Sequence, residues 1–143
     1  MEHISPYIVA IILGWIVAQG SKYVITSYKE KSLRSLRHLY LSGNMPSAHS
    51  ATVAALLTVI ALRDGMESGL FGLATLFAAI VMYDAIMVRR SSGEQGHALK
   101  QLMVEQKSKV KIPRVAKGHE PLEVVVGASI GVILGIVVFL ATK

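Results

Sequence analysis

The 143-residue chain has no cysteine, which rules out disulfides and thiolate metal sites and leaves the redox compartment open. Aromatic residues make up only 6% and none is interleaved with the basic stretches, so the positive charge lacks the stacking platform that single-stranded nucleic acid needs. No HExxH-type spacing joins the histidines to a carboxylate, and a surplus of neighbouring cations repels divalent ions; no metal and no other cofactor is expected. Acidic residues are scarce, nine against fifteen Lys and Arg, giving a net charge of +6. The sequence shows no long repeat and no low-complexity tract. Its Met-Glu-His start carries no cluster of positive charge, and no small-residue cleavage site follows the first apolar run. A retained anchor is therefore expected in place of a cleaved signal.

Apolar residues are what the chain has in excess. They make up 52% of it, charged residues only 17%, and the mean hydropathy is +0.52. A membrane-spanning helix needs roughly 20 predominantly apolar residues. Residues 7–28, 69–88 and 124–142 meet that length, and 50–62 reaches it if the turn before it lies in the interface. The expectation is one all-α, membrane-embedded domain over residues 1–143 with four transmembrane helices. The alternative, a soluble bundle of very apolar helices, requires runs longer than soluble folds commonly use. Residues 93–107 read as an additional interfacial amphipathic helix with Ala98, Leu99, Leu102 and Met103 as its apolar stripe, and Pro113 argues against its continuation.

Charge gives the orientation. Lys29, Lys31, Arg34 and Arg37 follow the first span; Arg89, Arg90, Lys100, Lys107, Lys109, Lys111, Arg114 and Lys117 follow the third. The opposite side has Arg63 and Lys143 alone. By the positive-inside rule both basic loops face the cytoplasm and both termini lie outside, in the cell membrane. The basic face also attracts anionic headgroups.

On this topology the unusual polar residues fall at one depth. Lys22 is near the cytoplasmic end of the first span, His49 starts the second, Arg89 and Arg90 follow the third, and His119 and Glu123 open the fourth. In "SGNMPSAHS", Gly43 and Asn44 suit a turn, Pro46 suits a first helical turn, and Ser47 or Ser50 can cap it. Helix starts with unpaired N–H donors bind anions, so two histidines and several cations gathered there point to a phosphate site. Each residue also has an ordinary account. Lys22 can snorkel, the arginines can be positive-inside anchors, and either histidine can be a polar residue at a helix start. Asp84 lies inside the third span. At 100° per residue it shares a face with neither Arg89 nor Arg90, so its expected partner is Lys22 from another helix. The run Gly127, Gly131, Gly135 reads as a helix-packing stripe that also offers a surface for a homo-oligomer.

The blocks "GNMPSAHSA", "YDAIMVRRSSGEQ" and "KGHEPLEVVVG" resemble, in this order, the signature blocks of the divergent branch of the type-2 phosphatidic acid phosphatase superfamily, also described as acid phosphatase/vanadium-dependent haloperoxidase-related. The resemblance runs from about residue 22 to 135. Pro46-Ser47-Ala48-His49 resembles the superfamily's Pro-Ser-Gly-His motif with Ala48 for glycine. His119 to Glu123 resembles its His-x-x-x-Asp with Glu for Asp. Lys22 alone matches the first motif, and Arg114 stands five residues before His119 where the pattern has six.

The resemblance implies a membrane phosphatase acting on a lipid phosphomonoester or diphosphate without a metal. His119 would be the nucleophile, Glu123 its orienting partner and His49 the acid for the leaving alcohol. Lys22, Ser47, Arg89 and Arg90 would bind the phosphate, with Asp84 supporting them. Two other readings stay open: a non-catalytic membrane protein that binds or transports phosphate or anionic lipid, and a structural subunit pairing through its glycines.

The charge argument has a direct check. A cysteine replacing Lys109 should react only with membrane-permeant thiol reagents in intact cells, and one replacing Glu67 should react with impermeant reagents. The reversed pattern overturns the orientation.

Overall fold

The computed structural model describes residues 4–30, 45–111, 115 and 118–143. Lys31, Arg34, Arg37, Gly43, Asn44, Pro113, Arg114 and Lys117 lie outside them. Among the described residues every regular element is a helix: α1 (Pro6–Glu30), α2 (Ala48–Arg63), α3 (Gly69–Tyr83), a π-helical turn (Asp84–Val88), α4 (Arg89–Glu105) and α5 (Pro121–Ala141). Among the described residues, three continuous helices are long and apolar enough to cross a membrane: Pro6–Tyr28, Gly69–Glu105 and Pro121–Ala141.

The remaining apolar segment, α2, is 16 residues long, about 24 Å, and falls short of a ~30 Å hydrocarbon core. Pro46 precedes the helix and does not lie in its first turn; Ser47 is the N-cap. What α2 lacks in length it makes up in burial. It packs against α1, α3 and α5, and Ala51, Ala54, Ala55, Val59 and Ile60 are all buried. A helix apolar on every side belongs in the middle of a bundle, and α2 is the axis here.

Three stripes of spacing four build the contact. On α1 the buried residues are Ala10, Gly14, Ala18, Lys22 and Thr26; on α2 and its cap, Ser47, Ala51, Ala55 and Val59; on α5, Glu123, Gly127, Gly131 and Gly135. Rows at i±4 are the ridges by which helices interlock. Without side chains between them the backbones come very close. A Cβ on Gly131 would run into the Ala51 carbonyl and one on Gly127 into the Ser47 carbonyl, while a Cβ on Gly14 would stand 3.1 Å from that same Ala51 oxygen. The glycine stripe is thus spent within the chain, on α2.

The stripes also fix direction. Gly127, Gly131 and Gly135 meet Ser47, Ala51 and Ala55 in ascending order, so α2 and α5 run parallel. In α1 the order is reversed, with Ala18 against Ala48 and Ala51, and Ala10 against Ala55, Val59 and Val138. A tight turn reverses the chain into α3: Gly65 has φ 83°, a left-handed conformation suited to glycine, and Ser68 caps α3 through a 3.2 Å bond from the Phe71 N–H. At that end Tyr7 donates to Asp64 (2.7 Å) and Arg63 to the Thr142 carbonyl (2.8 Å), tying α1 and α5 to the turn. The opposite end gathers the end of α1, the starts of α2 and α5, and the end of α3.

The expected interfacial helix over residues 93–107 begins earlier, at Arg89, and continues α3 through the π turn without a break. The 37-residue Gly69–Glu105 helix is about 55 Å long, well beyond a bilayer core, so its polar α4 portion extends past the apolar part.

Gly131→Leu should therefore lower stability by about 1–3 kcal/mol or prevent folding, since the Ala51 carbonyl has nowhere to go. Gly72→Ala, which meets nothing within 4 Å, should be neutral or slightly stabilising. Thermal unfolding in detergent, compared between the two variants, checks the packing.

Candidate functional site

The start of α5 holds its side chains through a capping box. Proline at N1 pre-sets the first turn, and Glu123 at N3 bends its carboxylate back to accept the Glu120 N–H (3.2 Å). The same oxygen, Oε2, lies 2.8 Å from Nδ1 of His119. His119 precedes the helix, so the pair forms through this backward reach and not along a helical face. His119 is 5% exposed and Glu123 9%. A carboxylate at Nδ1 fixes the ring and leaves Nε2 as the reactive nitrogen.

The backbone around His119 is held just as firmly. Gly118 lies against the backbone of Arg89 and Arg90, where any Cβ would collide. The His119 N–H donates to the Ala85 carbonyl (3.1 Å). That carbonyl is accessible because of the π turn: the Arg89 N–H bonds to Asp84, five residues back, instead of to Ala85. A local widening of the α3–α4 helix thereby becomes a docking point for the residue that opens α5. Such π-bulges often mark functional positions.

The π turn also corrects the expected partner of Asp84. Its carboxylate is 2.6 Å from Nε of Arg89, not paired with Lys22. The extra residue per turn brings position i+5 back over position i, which the uniform 100° step excludes. Lys22 is buried at 5% exposure, one turn beyond Ala18, and the charge it feels most is that of Glu123.

Ser47 caps α2 and is fully buried. Its hydroxyl oxygen accepts from the Ser50 hydroxyl (3.0 Å), and its N–H donates to the Glu123 carbonyl (3.1 Å). Whatever its part in anion binding, it joins the starts of α2 and α5 directly. His49, two residues on, is exposed and within the electrostatic reach of Arg89, His119, Lys22 and Asp84. The expected site residues of all four helix ends are thus brought to one place. The positive ends of the α2 and α5 dipoles are directed to that side, which favours negative charge there.

Arg90 differs from the rest. It is exposed, approaches Glu94 at 3.3 Å, and lines a 370 Å³ cleft with Gly93, Glu94, His97, His119 and Glu120. The sequence reading missed Glu94 and His97. The available signal was their spacing, since 90, 93, 94 and 97 share one helical face. Among the described residues no group of three or more His, Asp or Glu side chains is arranged to hold a metal ion.

Comparison with known proteins places the chain in a family. The family model described as "Divergent PAP2 family" matches residues 4–134. An "Uncharacterized membrane protein YuiD" of Bacillus subtilis (strain 168) is 33% identical over 143 aligned residues, covering 90% of this chain and 87% of the relative. No solved structure matches the chain.

The Asp84–Arg89 pair can be measured. The two side chains are 34% and 41% exposed, so solvent screening limits the coupling in an Asp84→Asn/Arg89→Gln cycle to about 1 kcal/mol or less. Asp84→Asn and Lys22→Met should instead add within about 0.5 kcal/mol. Coupling only in the second cycle would restore the interhelical pairing.

Proposed function

Because this chain belongs to the Divergent PAP2 family, we propose that it is a membrane phosphatase that hydrolyses a lipid phosphomonoester or diphosphate at the face where α2 and α5 begin. Family membership supports a phosphatase-related role. The observation that carries the finer reading is the buried His119–Glu123 pair, 2.8 Å apart, at the N-terminus of α5 and within electrostatic reach of His49.

In this reading the phosphate rests against the N-termini of α2 and α5, with Lys22, Arg89 and Arg90 neutralising its non-bridging oxygens. Ser47 orders the start of α2 so that the N–H groups after it face the anion. Nε2 of His119 attacks phosphorus; a P–N bond forms as the P–O bond to the lipid breaks. Glu123 holds the imidazolium that develops. His49 transfers its proton to the departing alkoxide, and the resulting imidazole then takes a proton from the water that cleaves the phosphohistidine. Inorganic phosphate leaves and both histidines return to their starting states. Positioning and charge stabilisation supply most of the catalysis in phosphoryl transfer, and both are built from groups already fixed by the fold. The basic loops support a cytoplasmic site.

The reading is tested by phosphate release from a panel of lipid phosphates by purified protein with chelator present. His119→Ala should abolish turnover and the covalent intermediate. His49→Ala should slow lipid substrates by about 10²–10⁴-fold and an activated aryl phosphate, whose leaving group needs little protonation, much less. Vanadate should inhibit the wild type, and Arg89→Ala should weaken that inhibition. Lipid-phosphate affinity that survives loss of both histidines, with no turnover in the wild type, would assign the protein to anion binding instead.

A further inference from the structure

The proposed reaction requires a lipid whose headgroup reaches His119, and the fold bears on where its chain lies. Helix α3 packs on α2 but scarcely on α5, although both flank α2. Between them, a groove of 460 Å³ is bordered by Met82 of α3 and by Val124, Val125, Ala128, Val132 and Ile133 of α5. That volume falls within the roughly 300–1,000 Å³ of ordinary ligand clefts. From Val124 to Ile133 it follows α5 for about 14 Å. Its one polar side chain, Ser129, is satisfied by a 2.9 Å bond to the Val125 carbonyl, so the wall offers apolar contact.

The position of the groove distinguishes it from the rest of the apolar surface. Its head begins at Val124, next to Glu123, and Met82 stands three residues before Ala85, whose carbonyl holds the His119 N–H. The end of the groove at Met82 and Val124 is thus within a turn, along each chain segment, of the His119–Ala85 bridge that ties the π turn to the start of α5. A second groove, lined by Tyr83, Met87, Val88 and Gln95 among others, has no lining residue from α5, the helix that follows His119. Cationic groups at one end and an apolar channel leading away from them match an amphiphile in both charge and polarity. We propose that the α3–α5 groove seats one acyl or alkyl chain of the lipid phosphate, so that the substrate enters sideways from the bilayer with its phosphate led to His119. This rests on the phosphatase reading for the headgroup, while the chain site can be tested without turnover.

The probe is a lipid phosphate with a photoreactive diazirine in its chain, in vesicles with wild-type protein, compared with the same lipid lacking phosphate. Crosslinks to residues 124–133 should be several-fold stronger with the phosphate present, while those around Tyr83 and Met87 should not depend on it. Ser129→Trp, which fills the groove from an exposed position, should abolish the headgroup-dependent crosslinks. It should also lower kcat/KM for a long-chain lipid phosphate by about tenfold, the contribution of a couple of buried methylene groups, and leave a water-soluble aryl phosphate within about twofold. Equal labelling by both lipids, or labelling undiminished in a Ser129→Trp protein that melts like wild type, overturns the chain site. Absence of phosphate release from every substrate by the wild type, with headgroup-dependent crosslinks intact, refutes hydrolysis and leaves the groove standing.

Discussion

One carboxylate holds the site together. Glu123 caps α5 through the Glu120 N–H, lies 2.8 Å from the His119 ring, and passes its backbone carbonyl to the Ser47 N–H at the start of α2. Its charge is also the one that buried Lys22 feels. Removing this side chain would lose the His119 contact and leave a helix end uncapped, and loss of a cap alone costs about 0.5–2 kcal/mol. Structure and chemistry therefore make the same demand of this position. A shorter carboxylate would have to close the same bridge from farther away, which gives the Glu in place of the superfamily's Asp a geometric basis in the cap.

The accuracy of that arrangement comes from the small residues behind it. Lys22, Ser47 and Glu123 are members of the same four-residue stripes that supply Gly14, Ala51 and Gly131 to the packing. A helix cannot slide by one residue without driving a side chain into a carbonyl. The register that fits the glycines thus also sets the relative heights of the functional groups. In a bilayer, where lipid tails remove most of the hydrophobic advantage of helix contact, close van der Waals approach of this kind is the available source of order. The clamp at the far end, Tyr7–Asp64 and Arg63–Thr142, holds the same three helices from the other side.

Much of this was legible in the chain itself. The apolar runs gave the helices, the Pro-Ser-Ala-His turn gave the capped start of α2, and the four-residue interval from His119 to Glu123 gave a contact, although it forms through the cap and not on a helical face. The glycine interval gave a packing stripe but not its partner, because spacing says how close a surface can come and not what comes to it. The largest difference is at residues 84–88. A uniform α-helical step separates Asp84 from Arg89 and leaves the Ala85 carbonyl satisfied, whereas the π turn reverses both. Nothing local in Asp-Ala-Ile-Met-Val encodes that turn; it is stabilised by what docks on it, namely His119 and the Gly118 backbone. Treating Arg89 and Arg90 as residues after a helix also hid Glu94 and His97, which fall into line only when α4 is seen to begin at Arg89.

The charge balance of the assembled site gives it a direction. Arg89 is matched by Asp84 and Arg90 approaches Glu94, but Lys22 is deep in the bundle and shares Glu123 with His119. Two parallel helix starts add their positive ends to the same place. The formal charges of these side chains therefore balance, three cations against three carboxylates, and the helix starts are what tilt the site toward negative charge. On the proposed reading, a phosphate answers that tilt where a neutral ligand does not. On that reading, charge on the phosphoryl oxygens as the P–O bond breaks is met by groups the fold has already positioned. On the same reading, Lys22, buried and within reach of Glu123, favours an anionic substrate over a neutral one.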